Sequence, residues 1–158
     1  MDPERPVTVP TTLGRLRVAL EEAYARASCE LGLTTQQAEL LCAAMRPAAV
    51  GELATALRCD RSNVSRLVDR ASRRGLIERT TADEDGRVSL VRLTTEGDEL
   101  ARRFIALLET QLEPLLARWP AQRQRTAVSL MNEISDVLQA GEGSDARRRP
   151  APRRRPAG

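Results

Sequence analysis

The stretch from Asp60 to Leu93 constrains the fold of this chain most, because two different periodicities meet in it. From Asp60 to Arg74, apolar residues recur every three or four positions, which predicts an amphipathic helix. This helix carries five arginines after Asp60 but only one acid, Asp69. After Gly75, two short apolar runs flank a turn and predict a β-hairpin. The runs are Ile77–Thr80 and Val88–Leu93, and the turn is Asp85-Gly86.

The short segment before the basic helix completes a helix-turn-helix, because residues 50–57 have helical spacing and only a few residues separate the two helices. Amphipathic patterns predict further helices on both sides, at 12–45 and 95–140. The predicted fold is therefore mainly α, with a winged helix-turn-helix core, a two-stranded β wing, and flanking N- and C-terminal helices. The boundaries are 1–11 for a flexible arm, 12–140 for the domain, 50–93 for its winged lobe and 141–158 for a disordered arginine-rich tail.

Composition argues against an enzyme and against a metal site. The chain has no histidine, which removes the commonest general base and zinc ligand. The cysteines Cys29, Cys42 and Cys59 are far apart and form no C-x-x-C pair, and no glycine loop resembles a phosphate cradle. No metal and no cofactor are predicted. Without an export signal or a long apolar run, the expectation is a soluble cytoplasmic protein with no membrane partner.

The basic charge is local. Up to Ala140, 19 arginines face 20 acids, so the body of the chain is nearly neutral, and the other six arginines lie in the tail. The local excess is the basic helix, which makes double-stranded DNA the expected partner. Aromatic residues make up only 2% of the chain, which argues against stacking on single strands. The tail either adds non-specific attraction to phosphates or is an inert extension.

Residues 53–97 carry a specific resemblance to the MarR family of bacterial transcriptional regulators. The matching motifs are "SNVSRLVDR", "RGLIER", the "DGR" of the wing and "LTTEG". Ala71-Ser72 departs from the Leu-Glu that the family usually has after "DR", and the arginine-rich tail is not a family feature. Element order extends the resemblance over about 12–140.

The resemblance implies a homodimer built from the helices at 12–45 and 95–140 that binds a pseudo-palindromic operator, often as a repressor. It also implies release from DNA by a small organic effector, frequently phenolic or acidic, near the junction of the dimerisation and DNA-binding parts. Independently of the resemblance, these end helices are more apolar than a small core can cover. They either fold back onto their own domain or pack against a second copy, which would present two basic helices to half-sites about 34 Å apart.

The basic helix offers two kinds of DNA contact. Its first turn enters a major groove first. The residues expected to read bases are therefore Ser62, Asn63, Ser65 and Arg66. Later arginines, including Arg74, are better placed for phosphates. Alternatively, Arg66 pairs within the protein with Asp60 or Asp69. Asp60 is expected to cap the helix by accepting hydrogen bonds from backbone N–H groups. The predicted contact residues are Ser62, Asn63, Ser65, Arg66, Arg70 and Arg73.

Two further candidates lie outside this helix. In the wing, Arg87 is expected to enter a minor groove, oriented by Asp85, unless the turn is simply solvated. Cys59 precedes the basic helix, where its oxidation would disturb docking, although inert thiols are the commoner case. The alternative function is a winged-helix module that binds proteins without sequence-specific DNA binding. The outward arginines count against that alternative.

Overall fold

The computed structural model describes residues 8–81 and 89–145. The chain divides into two compact units, Met1–Gln111 and Leu112–Gly158. Within the described residues, no helix is both long and apolar enough to cross a membrane. In chain order the elements are α1 (Val9–Glu30), α2 (Thr35–Ala43), β1 (Ala48–Ala49), α3 (Val50–Ala56), α4 (Arg61–Arg73), β2 (Ile77–Thr81), β3 (Ser89–Leu93), α5 (Thr95–Leu116) and α6 (Ala121–Asp145).

The first unit contains the hydrophobic core, which is built almost entirely of aliphatic side chains from α1 to α5 and the sheet. Leu40, Leu41 and Val68 are completely buried, and Phe104 supplies the one large ring of the core. The ring of Tyr24 meets Phe104 edge to face, with 5.4 Å between centroids. The predicted mainly α fold with a winged helix-turn-helix is confirmed.

The wing belongs to a sheet of three strands, in the order β1-β3-β2, and both pairings are antiparallel. β2 and β3 form the predicted hairpin, with Ile77 opposite Leu93. The prediction of two strands missed β1, in which Ala48 pairs with Val91. A strand of two residues is too short to show any alternation in sequence, so only its pairing with β3 reveals it. The hairpin turn, with Asp85 and Arg87, lies outside the described residues.

Local hydrogen bonds explain where several helices begin and end. The capping box at the start of α2 is present: Gln37 N donates to Thr34 Oγ1 at 3.2 Å, and Thr34 N donates to Gln37 Oε1 at 3.0 Å. Gly32 and Gly75 follow α1 and α4 with φ of 65° and 72°. Glycine adopts this left-handed conformation without a steric penalty, so both helices end there.

The outer boundaries of the helical region differ from the predicted ones. α1 begins at Val9 and not at Thr12, because Thr8 acts as its N-cap and Pro10 fits the first helical turn. α6 continues to Asp145, so 141–145 are helical where disorder was predicted. Adding a residue to an existing helix is far easier than starting one, which offsets the cost of the glycines there. Residues 1–7 and 146–158 lie outside the described part.

The "LTTEG" motif builds the start of α5. Thr94 caps this helix: its hydroxyl accepts from Gly97 N at 3.1 Å and donates to Gly75 O at 2.7 Å. Thr94 N also donates to Leu76 O at 3.1 Å. The first turn of α5 is thereby fastened to the chain that leaves α4, and Gly97 lies directly against the Leu76 carbonyl.

The second unit contains the end of α5 and α6. Pro114 lies within α5, and the helix continues for two more residues to Leu116. In the turn that follows, the guanidinium of Arg123 lies over the Trp119 ring at 4.6 Å. The amide of Gln124 donates to the carbonyls of Leu116 and Trp119 at 3.0 and 3.1 Å. These bonds give additional donors to two carbonyls, one at the end of α5 and one in the turn before α6.

Candidate nucleic-acid interface

The helix-turn-helix consists of α3, a turn and α4, which we call the recognition helix. α3 ends in a Schellman arrangement, in which Cys59 N donates to Ala54 O at 3.0 Å and Arg58 N donates to Thr55 O at 3.2 Å. Arg58 has a φ of 50°, a conformation that costs a residue with a side chain about 1–2 kcal/mol. The fold tolerates this local strain because the turn at Arg58 sets the recognition helix across α3.

The recognition helix is held by one face and leaves the other free. Its inner side chains Val64, Leu67, Val68 and Ala71 are buried in the core. Burial of these apolar residues fixes the rotation of the helix about its own axis, and this rotation decides which residues face outward. The outward, exposed residues are Ser62, Asn63, Arg66, Arg70 and Arg73, and Ser65 is half-buried at the edge.

The exposed arginines of the recognition helix form one stripe. Arg66, Arg70 and Arg73 are spaced by four and three residues, so they lie on the same side of the helix. Within the described residues, no ion pair joins Arg66 to Asp60 or Asp69, which were its alternative partners. The three guanidinium groups are therefore presented to solvent on a rigid helix, and so is the Asn63 amide.

Asp60 occupies the N-cap position of the recognition helix, as predicted, but its side chain makes no capping hydrogen bond. Its main-chain carbonyl accepts instead from Asn63 N at 2.9 Å and from Val64 N at 3.1 Å. A capping carboxylate would accept a hydrogen bond from the Asn63 N–H group, but this group already donates to the Asp60 carbonyl.

Asp69 has a partner that the sequence did not reveal. Its carboxylate accepts from Arg79 Nη2 at 2.8 Å, which ties the recognition helix to β2. A pair of exposed side chains such as this adds only about 0–1 kcal/mol of stability. It does place the negative charge of Asp69 beside a cation of its own protein, and this reduces repulsion of any phosphate nearby. Arg79 was missed because the two residues meet only after the hairpin has folded.

Arg74, which was predicted to contact phosphates, has hydrogen-bond partners within the protein. Its guanidinium donates to Gln37 Oε1 at 3.0 Å and to Gly32 O at 3.3 Å. Both arginines are exposed, but Arg74 is hydrogen-bonded within the protein, whereas the adjacent Arg73 makes no side-chain hydrogen bond among the described residues. No local pattern distinguishes the two arginines, because the difference comes from contacts with the distant α1–α2 turn.

Cys59 lies in a cleft beside the recognition helix. The cleft has a volume of about 330 Å³ and is also lined by Glu39, Asn63, Arg66 and Arg70. The thiol is exposed and free. Oxidation of Cys59 therefore stays a prediction, on the ground that a larger, charged sulfur group here would lie next to residues proposed to contact DNA.

A second cavity, of about 470 Å³, lies behind the helix-turn-helix. Its walls combine apolar and aromatic side chains with a few polar groups, as small-molecule sites commonly do. Glu39 contributes to this cavity and to the cleft beside the recognition helix. Burial raises the pKa of the Glu39 carboxyl, and burial together with the negative charge of Glu39 raises the pKa of the Cys42 thiol. The lining includes Tyr24, Glu39, Cys42, Arg58, Phe104 and Leu108.

The raised pKa of Glu39 predicts how stability depends on pH. The folded chain binds the proton of Glu39 more tightly than the unfolded chain, so this group lowers stability as pH rises from about 4.5 through the raised pKa. We expect Glu39→Gln to increase the Tm at about pH 7 and to leave it unchanged at about pH 4. Thermal unfolding of both chains at the two pH values measures this. An equal difference in Tm at both would contradict it.

Comparisons with known proteins agree with this architecture. A family model described as MarR family matches residues 31–88. No curated protein matches the sequence. A MarR family protein from Bacillus stearothermophilus is similar in structure, with a TM-score of 0.73 and 20% identity over 83% of this chain and 93% of that chain.

Two other similar structures contain bound molecules. CouR from Rhodococcus jostii RHA1, bound to p-coumaroyl-CoA, has a TM-score of 0.66 and 24% identity over 84% of this chain and 90% of that chain. A single-site mutant of MepR from S. aureus, bound to an oligodeoxyribonucleotide, has a TM-score of 0.56 and 18% identity over 84% and 99%. The family model covers residues 31–88, and these solved structures share the fold, so the winged-helix part of this chain is similar to MarR family proteins.

Proposed function

We propose that this chain is a homodimeric, sequence-specific DNA-binding repressor that binds a pseudo-palindromic operator. The observation that carries the proposal is the exposed stripe of Asn63, Arg66 and Arg70 on a helix whose opposite face is buried. Asn and Arg are the side chains that pair bidentately with adenine and guanine in a major groove. The similarity in fold to an oligodeoxyribonucleotide-bound MepR mutant supports a DNA-binding role. A protein in this role acts in the cytoplasm, where bacterial DNA lies.

The similarity of residues 31–88 to MarR family transcription regulators favours a regulator over an enzyme. The remaining alternative is a winged-helix module that binds proteins. A protein-binding surface is typically rich in aromatic and apolar side chains at its centre, whereas the outer face of the recognition helix carries an amide, hydroxyls and guanidinium groups. This composition favours DNA.

The proposed homodimer rests on apolar side chains that each unit leaves uncovered. In α1, Leu16, Val18 and Leu20 are exposed. The second unit exposes many more apolar residues than a solvated helix needs, and such patches mark interaction surfaces. They are Leu112, Leu115, Val128, Leu130, Met131, Val137 and Leu138. A second copy of the chain covers both sets and places two recognition helices on one duplex.

Selection of bound sequences from a random pool of double-stranded DNA tests the proposal directly. We expect enrichment of a two-fold symmetric sequence whose half-sites lie about one helical turn, or about 34 Å, apart. Affinity for the selected DNA should fall steeply with salt. Enrichment of no sequence, together with weak binding that depends only on charge, would favour the protein-binding alternative.

We propose that the 470 Å³ cavity is the site of a small organic effector. Tyr24, Phe104 and Leu108 offer an apolar and aromatic wall, and Glu39 offers a carboxyl group. The binding of p-coumaroyl-CoA by CouR, a protein of the same fold, supports an organic ligand here. Compounds that release the selected DNA should raise the Tm of the free chain. They should lose both effects in Leu108→Trp, which fills the cavity; retained effects would place their site elsewhere.

A further inference from the structure

We propose that Arg74 is a positioning residue for DNA binding: its guanidinium fastens the C-terminal end of the recognition helix to the α1–α2 turn, residues 31–34, and thereby sets the angle at which the helix meets DNA. This proposal rests on the proposed function of the chain as a DNA-binding protein. It assigns Arg74 a role that differs from those of the other arginines on the helix, although its neighbour Arg73 looks equivalent in sequence.

The geometry of Arg74 suits a fastening role. Arg74 is the C-cap of α4, and the chain turns away at Gly75 immediately afterwards. The two terminal nitrogens of the guanidinium reach different elements: Nη1 donates to Gln37 Oε1 in α2, and Nη2 donates to Gly32 O at the end of α1. A planar guanidinium can hold two acceptors at a fixed separation, and a lysine ammonium offers no such fork.

Gln37 is well suited to be the anchor. Its side-chain oxygen accepts from Arg74 and from Thr34 N, both at 3.0 Å, so the same oxygen that closes the capping box also receives the guanidinium. Gln37 is 9% exposed, and its position is fixed by the packing of α2. Because this oxygen is fixed and partly buried, the hydrogen bond from Arg74 holds the end of the recognition helix at a set position relative to α2.

The recognition helix is short enough for its end to affect its beginning. Thirteen residues span about 20 Å, and Asn63 and Arg66 lie near the end that is opposite Arg74. Hydrogen bonds to base edges weaken steeply outside about 2.7–3.2 Å. A tilt that moves the first turn by about 1 Å is therefore enough to weaken base readout without removing any contact residue.

The test compares full-length variants bound to the selected operator DNA over a range of salt concentrations, at a temperature where all remain folded. We expect Arg74→Ala to weaken binding about tenfold, in line with the removal of a charged hydrogen bond, with an unchanged dependence of affinity on salt. Arg74→Lys should restore little of the affinity, since the fork is absent. Arg73→Ala is the matched control, and its salt slope should fall by about 0.9 for each phosphate that Arg73 neutralises in the wild type.

Gln37 variants test the anchor itself. Gln37→Ala should weaken binding, and the double variant with Arg74→Ala should bind like Arg74→Ala alone, because both changes break the same bond. Gln37→Glu keeps the capping box and pairs with Arg74, so it should retain wild-type affinity.

Three results would overturn the proposal. They are a reduced salt slope in Arg74→Ala, which would make Arg74 a phosphate contact; unchanged affinity in that variant; and additive effects in the double variant. Each requires that the wild-type chain binds operator DNA. A wild-type chain that selects no DNA would instead refute the proposed function, so the two failures are distinguishable.

Discussion

Gly97→Ala is expected to destabilise the protein by about 3 kcal/mol, at the upper end of what overpacking a core costs. A Cβ at this position would lie 1.9 Å from Leu76 O and 3.0 Å from Leu76 C. Both contacts are with backbone, so no side chain can rotate to make room. The Leu76 carbonyl also accepts from Thr94 N, so moving it disrupts the start of α5 as well.

Thermal unfolding measures this effect, and we expect the Tm to fall by about 10 °C. Gly51→Ala is the matched control. Gly51 lies in the first turn of α3 with no atom within 4 Å of an added Cβ, so this change should be neutral or stabilising by up to about 1 kcal/mol. If Gly97→Ala unfolded at the same temperature as the wild type, α5 would not dock on Leu76 as the structure has it.

The parts of the fold that were predictable from sequence are those that depend on local pattern. The buried face of the recognition helix follows from the spacing of Val64, Leu67, Val68 and Ala71, and the capping box from Thr34 and Gln37 alone. Each involves residues no more than one or two helical turns apart. Periodicity also identifies the outward residues, because fixing one face of a helix fixes the other.

The features that could not be predicted arise from contacts between distant segments. Arg73 and Arg74 are adjacent and chemically identical, yet only Arg74 meets Gln37, 37 positions away. Arg79 pairs with Asp69 only once β2 has folded beside α4. The role of Gly97 depends equally on a carbonyl from another element. The resemblance to a family predicts that such a glycine is present, but only the structure explains why a larger residue does not fit.

Arg66→Ala is expected to lower affinity for the selected operator by at least about 30-fold. A bidentate contact between arginine and guanine contributes about 1–3 kcal/mol of discrimination, and a two-fold dimer makes the contact at both half-sites. Loss of the contact at both half-sites therefore costs about 2–6 kcal/mol of binding free energy. Each 1.4 kcal/mol corresponds to a factor of about ten in affinity. Arg66 is exposed and forms no ion pair with Asp60 or Asp69, so its removal should leave the Tm nearly unchanged.

Repeating the DNA selection with Arg66→Ala distinguishes base readout from attraction to phosphates. If Arg66 reads a base, the preference at one position in each half-site should relax while the other positions keep theirs. Arg66→Lys keeps the charge but loses the bidentate geometry, so it should relax the same position with little change in salt dependence. An unchanged selected sequence with uniformly weaker binding would make Arg66 a phosphate contact. Base readout would then have to come from Asn63 and the two serines of the first turns, Ser62 and Ser65, whose hydroxyls accept or donate to several bases and discriminate among them less sharply.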